Sequence, residues 1–174
     1  TAHTFPDPAL VSNEALRGVQ MSKVNIERAR SADGAGIATV YLTATAKLGF
    51  LPRRHNAVDM WHHFSTMPTK QEAWVAKHNG RIAAFLAMSP GWPNWVDHLY
   101  VHAGAQNKRL GTALLDQAKR SAPAGFQLWT FRQNSGAQRF YERHGLTIAE
   151  RTDGRRNEEH LADLRYVWRP TTGL

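Results

Sequence analysis

Cysteine is absent from the chain, which removes any disulfide framework and any thiolate-ligated metal site. A chain without disulfides suits a reducing compartment, so a cytoplasmic location is expected. No apolar run approaches the ~18 residues that a membrane span needs. The opening TAHTFPDPAL also lacks the basic-then-apolar layout of a signal peptide, so no membrane partner is expected. Internal repeats and low-complexity tracts are missing too. Acidic residues are in deficit, 14 Asp and Glu against 22 Lys and Arg, for a formal charge of +8. Such an excess favours anionic partners: a phosphorylated small molecule, nucleic acid or an acidic surface. The cations nevertheless form separate pairs, Arg53-Arg54, Lys108-Arg109, Lys119-Arg120 and Arg155-Arg156. Without one continuous basic stripe, no specific nucleic-acid binding is expected. The rest is ordinary: 174 residues, 42% hydrophobic and 21% charged, enough for one buried core.

Residues 1–20 carry prolines, are slightly acidic and lack a pattern, which marks an N-terminal appendage to a domain over 21–174. Within the appendage, Asp7 and Pro8 suit the N-cap and first position of a short helix through Ala15. VNIERAR (24–30) alternates as a strand does. SADGAGIATVYLTATAKLGF then sets Ile37, Val40, Tyr41, Ala44 and Leu48 on one helical face before Gly49. The basic, aromatic-rich stretch 52–68 holds a short helix around Val58 to Phe64. EAWVAKHNGRIAAFLAM reads as a hairpin turning at Asn79-Gly80, since both residues tolerate the positive φ of a tight turn. A strand around Val96 to Val101, a helix from Leu110 to Arg120 and the strand FQLWTF (126–131) make a strand-helix-strand crossover. A short helix ending at Gly145 and strands in LTIAERT and LRYVWRP complete the chain.

The stretch DHLYVHAGAQNKRLGTALL, Asp97 to Leu115, passes from strand to polar loop to helix. A loop there presents unpaired backbone N–H groups at the positive end of a helix dipole, where phosphate binds readily. One glycine at such a turn is weak evidence, because Gly111 could simply shape the connection.

The wider pattern is more specific. Leu99 and Val101, then Gln106 followed by Gly111 and Ala-Leu-Leu, resemble the acetyl-CoA signature of the GNAT N-acetyltransferase superfamily. Downstream, NSGAQRFYERHGL resembles that family's second motif, matched at Asn134, Ala137, Phe140, Tyr141 and Gly145. The likeness extends over about residues 24–169. It implies a single α/β (α+β) domain with a central mixed, mostly antiparallel sheet of about 6–7 strands and about 4 helices, its fourth and fifth strands splayed apart. By that likeness acetyl-CoA is the cosubstrate. Its arm would bond Leu99, Tyr100 and Val101, and the residues Gln106, Asn107, Lys108, Arg109, Leu110, Gly111 and Thr112 would cradle the pyrophosphate. Asn134, Ala137 and Phe140 would meet it from the second motif, and Tyr141 would protonate the departing thiolate. The sequence departs from the pattern at Arg109, which stands where the family has a glycine, at Ala103 in place of a frequent Pro, and at Leu146 in place of Phe.

The activity so implied is transfer of acetyl to a primary amine of a small molecule or peptide, by direct attack in a ternary complex. A homodimer is compatible with the likeness. The alternative is a non-catalytic acyl-CoA sensor or a nucleic-acid-associated module. Amine acetylation needs a base for the ammonium proton, and Asp97 and His98 on the motif strand are the candidates. Strand neighbours face opposite ways, so only one of the two is expected to reach the acceptor cavity. Glu158, Glu159 and His160 in the polar loop before the last strand are further candidates for holding a cationic acceptor. His55, His62 and His63 suggest a metal site, but adjacent histidines on a helix diverge by about 100 degrees and no carboxylate or Cys is placed to complete a tetrahedron, so no metal is expected. Among the tryptophans, Trp92 or Trp95 is expected to line the acceptor pocket.

Overall fold

The computed structural model describes residues 24–171; the short helix expected around Asp7 to Ala15 lies outside them. Its strands are β1 (Asn25–Arg28), β2 (Glu72–His78), β3 (Arg81–Ser89), β4 (Asn94–Val101), β5 (Phe126–Phe131), β6 (Thr147–Arg151) and β7 (Asp163–Trp168). The helices are α1 (Gly34–Ala46), α2 (Ala57–Thr66), α3 (Leu110–Ser121) and α4 (Ser135–Arg143). One sheet runs β1-β2-β3-β4-β5-β7-β6, antiparallel everywhere except between β4 and β5. This is the mixed seven-stranded sheet with four helices that the sequence implied.

Local chemistry explains the elements. The β2–β3 hairpin closes through Asn79 at φ 51° and Gly80 at φ 73°, the left-handed pair whose twist matches that of the flanking strands. Asn56 caps α2 by accepting from the Asp59 N–H at 2.8 Å and donating to the Asp59 carboxylate at 2.7 Å. α1 ends at Ala46, short of Gly49.

Strand alternation divides the core into two layers. Ala73, Val75 and Phe85 face α1 and α2, packing with Ile37, Val40 and Phe64. Trp74, Ala76 and Leu86 face α3, packing with Leu110, Leu114 and Leu115. Phe85 and Leu86, adjacent in β3, are each 0% exposed on opposite faces, and each such burial is worth about 1.5–3 kcal/mol.

Two irregularities open the sheet. β4 and β5 pair only at Asn94↔Phe126 and Trp95↔Gln127, a junction held by the Gln127 amide donating to the Pro93 carbonyl at 2.9 Å. Beyond it the strands part. In addition β4 carries a bulge: Ala87 pairs with His98 and Met88 with Val96, leaving Asp97 without an opposite residue.

Candidate active site

The parted strands leave a cleft of about 1040 Å³, the size of a cofactor or substrate site. At one end lies the N-terminus of α3. Asn107 and Arg109 both take left-handed backbone, at φ 63° and 60°, and alternating backbone of this kind turns successive N–H groups toward one concavity. The first helical bond runs from the Ala113 N–H to the Arg109 carbonyl at 3.0 Å, and no side chain caps the helix. The amides of Leu110, Gly111 and Thr112 are therefore unpartnered among the described residues, with the helix dipole behind them. Arg109 is exposed and makes no ion pair among the described residues.

Gly111 belongs to this end for a steric reason. A Cβ there would stand 3.3 Å from Phe140 Cζ, so the glycine lets α3 come close to α4. The contact is fixed by His144, whose Nδ1 meets the Phe140 carbonyl at 2.7 Å and whose Nε2 meets the Thr112 hydroxyl at 3.0 Å. A carbonyl only accepts, so Nδ1 carries a proton, and in the neutral ring Nε2 then accepts from Thr112. Asn134 caps α4 by accepting from the Ala137 N–H at 3.1 Å, which places its amide on the cleft wall.

Tyr141, one residue beyond Phe140, is 8% exposed and lines the cleft. Burial first, and then the neighbouring Tyr166, push its phenol up to about 12; the two ring centroids lie 5.7 Å apart.

The bulge settles the orientation of Asp97 and His98, and differently from the expected alternation. Val96 and Leu99 both pack into the α3 layer, although three positions apart. The two residues between them consequently share the α1/α2 face. Asp97 lines the cleft and accepts a short hydrogen bond from the Gln71 amide. Partial burial raises its carboxyl above the usual range, against the opposing effect of Ser89 and Gln71. His98 packs instead among rings, 5.0 Å from Phe64 and 6.1 Å from Tyr100, and is not part of the cleft wall. Burial, then the charge of His63, pull it down to about 4, so it is neutral at pH ~7.

Of the other expected residues, 99–101, 106, 107, 109–112, 134, 137 and 140 all line the cleft. Lys108 does not: its ammonium turns to His78, 3.0 Å away at the β2–β3 turn. The tryptophan expectation is corrected as well. Trp92 is 93% exposed, and Trp129, not Trp92 or Trp95, lines the cleft. Glu159 reaches the cleft, while Glu158 turns to His55 at 2.6 Å. Sequence reasoning missed Gln71 as a partner of Asp97, because what brings the two together is strand pairing between positions far apart along the chain. Among the described residues no group of three or more His, Cys, Asp or Glu is placed to hold a metal, and no helix is long and apolar enough to cross a membrane.

Comparison with known proteins places this architecture. The profile of the Acetyltransferase (GNAT) family matches residues 31–146. The chain belongs to the GNAT acetyltransferase family. Among solved structures, it resembles a GCN5-related N-acetyltransferase of Rhodopseudomonas palustris, with TM-score 0.71, 20% identity, and coverage of 86% of this chain and 98% of that one. The apo form of YjaB from Escherichia coli gives TM-score 0.69 at 18% identity, covering 83% and 97%. The yncA protein of Salmonella typhimurium, solved with its cofactor acetyl-CoA, gives 0.65 at 19%, covering 85% and 94%. At these identities the likeness is one of fold. No curated protein matches the sequence.

Proposed function

We propose that the chain moves the acetyl group of acetyl-CoA onto a primary amine of a small molecule or peptide, by direct attack within a ternary complex. The observation that carries this reading is the parting of β4 and β5 after Trp95 and Gln127. It leaves one edge of β4 without a ladder partner, between an uncapped helix N-terminus and a buried phenol. Membership of an acetyltransferase family supports it, as do neighbours solved with acetyl-CoA.

The residues present fit that cosubstrate. Backbone groups of 99–101 offer an extended pantetheine arm the hydrogen bonds of a missing strand. The amides of 110–112 and the guanidinium of Arg109 suit the pyrophosphate. In the transfer the amine nitrogen bonds the acetyl carbon and the carbon–sulfur bond breaks. The nitrogen sheds a proton and the sulfur gains one. Asp97, with its raised pKa and its place on the cleft wall, takes the nitrogen's proton directly or through water. Tyr141 holds its proton throughout the working range and donates to the departing sulfur. Burial raises the phenol well above its ordinary value, so full transfer of its proton to the departing sulfur is opposed. Tyr141 therefore acts mostly through a hydrogen bond to developing negative charge, and its benefit falls at the lower end of acid catalysis, about 10²-fold. A non-catalytic acyl-CoA sensor needs neither a partly desolvated carboxylate nor a buried phenol on the cleft wall.

The test is CoA release across a panel of primary amines, in the parent and in Tyr141→Phe. The variant keeps the ring, so it should fold and bind acetyl-CoA like the parent while kcat drops by about 10² with acceptor KM nearly constant. Parental turnover by Tyr141→Phe would remove the role assigned to the phenol. Failure of every amine to release CoA from an acetyl-CoA-saturated protein would remove the transfer reading itself.

A further inference from the structure

Four carboxylates line the cleft: Asp97, Glu150, Glu159 and Asp163. Three are satisfied within the protein. Asp97 accepts from Gln71, Glu150 pairs with Arg165 at 2.9 Å, and Asp163 accepts from Thr152 and, at 2.9 Å, from Asn157. Glu159 has no ion pair or hydrogen-bond partner among the described residues, although it is partly buried. Withdrawing a carboxylate from water without a partner is unfavourable, and a cationic ligand removes that penalty.

We propose that Glu159 selects the acceptor, and that the acceptor is a diamine or longer polyamine whose second ammonium the Glu159 carboxylate holds while the first nitrogen is acetylated. The inference rests on the acetyl-transfer reading above. The position of Glu159 is fixed from both sides. Asn157 bonds the Leu161 carbonyl at 2.7 Å and accepts from the Leu161 N–H at 3.2 Å, bracketing Glu159. Its neighbour Glu158 is tied to His55 at 2.6 Å, joining the β6–β7 loop to the connection between α1 and α2. With Glu158 engaged there, Glu159 is the member of the pair that enters the cleft.

Its surroundings match an ammonium. Tyr41 and Tyr100 meet edge to face with centroids 5.3 Å apart, and Glu159 is close enough to contribute to the raised pKa of both phenols. Tyr100 shares the cleft wall with Glu159, and a carboxylate and an aromatic ring in one cleft attract a cation by charge and by ring quadrupole together. Ala44, Leu48 and Leu51, which also line the cleft, offer methylenes an apolar wall. Arg156, on the same loop and also on the cleft wall, makes no ion pair with Glu159. The two ends of the acceptor are thus treated differently: one nitrogen gives up its proton near Asp97, and the other keeps its proton at Glu159.

Cadaverine and n-pentylamine share a five-carbon chain and differ in the second ammonium, so their ratio of kcat/KM isolates it. The parent should favour cadaverine by about tenfold or more, on the scale of one charge-assisted contact. Glu159→Gln should bring the ratio close to one, chiefly by raising the KM for cadaverine. Glu159→Asp, which keeps the charge on a shorter arm, should retain part of the preference and serves if the Gln variant does not fold. The melting-temperature rise with acetyl-CoA is followed in every variant. A parent without preference, or a preference unchanged in both variants, overturns the selection by Glu159 and leaves acetyl transfer standing. An acetyl-CoA-stabilised parent that acetylates neither amine overturns it too, whereas absence of acetyl-CoA stabilisation overturns both.

Discussion

His98 and Asp97 are neighbours in sequence and share a face of the sheet, yet burial moves their proton affinities in opposite senses. Burial disfavours the charged form: for Asp97 that is the deprotonated carboxylate, so its pKa rises, and for His98 it is the protonated imidazolium, so its pKa falls, to about 4. The consequence for stability has a definite sign. The unfolded chain binds a proton at His98 near pH ~6.5, well before the folded one. Stability is therefore complete above that value and is lost as pH falls toward about 4. Denaturant unfolding at pH ~7 and ~4.5 should show a loss of about 2–3 kcal/mol attributable to this residue. His98→Gln cannot protonate, so its loss over the same interval should be smaller by that amount. Equal losses in parent and variant would mean that His98 titrates normally in the folded protein. None of this was visible from the residue pair alone. The sequence showed two titratable neighbours on a strand, and ordinary alternation sent them to opposite faces. What put them on one face was the register with β3, Ala87↔His98 and Met88↔Val96, which no local spacing records.

At the scale of elements, the signals that survived were those confined to one turn or one helix. Asn79-Gly80 specified its hairpin because both left-handed angles are properties of those two residues. Leu110, Leu114 and Ala118 specified α3 because they form one buried stripe. The loop 106–112 was legible through its motif, and all of it but Lys108 lines the cleft. The clasp between His55 and Glu158 was not, since it joins positions 103 residues apart. Arg109 lies between these cases. Its place in the motif marked it as a departure, and the structure shows the cost: a side chain with a Cβ held at φ 60°, about 1–2 kcal/mol above right-handed backbone. Two substitutions separate its backbone from its charge. Arg109→Gly relieves the backbone strain and should raise unfolding stability by up to about 1 kcal/mol, whereas Arg109→Ala keeps the strain and should not. Both remove the guanidinium, and both should weaken CoA binding by about 1–3 kcal/mol if it meets a phosphate. Unfolding curves and CoA titrations on the two variants check this. Equal stability of the Gly and Ala variants would show that the left-handed angle is not imposed by the fold, and undiminished CoA affinity in both would leave the guanidinium without a role.

The molecule as a whole is a sheet nearly divided in two. β1 to β4 form one ladder and β5, β7 and β6 the other, and only Asn94↔Phe126 and Trp95↔Gln127 join them. The halves are further connected on the α3 side by the His144 bonds to α3 and a core layer that includes both Leu86 and Leu128, and on the α1/α2 side by the His55–Glu158 clasp and the Phe50–Phe131 edge contact. An arm bonded along β4 and cradled at α3 while touching Phe140 and Tyr141 on α4 spans both halves. It should therefore stabilise the fold globally instead of ordering one loop. The net charge of +8 adds to the effect, since an anionic ligand reduces the self-repulsion of a basic protein. At about 100 times its dissociation constant, acetyl-CoA should add ~2.7 kcal/mol of apparent stability, or about 5–10 °C in melting temperature for a domain of this size. Amide exchange should slow in β4 and in β5 together, because opening either half then requires release of the ligand. A melting temperature indifferent to saturating acetyl-CoA would show that the parted strands hold no such ligand. Protection confined to the α3 terminus would show that the phosphates alone are recognised, and that the gap between β4 and β5 belongs to some other molecule.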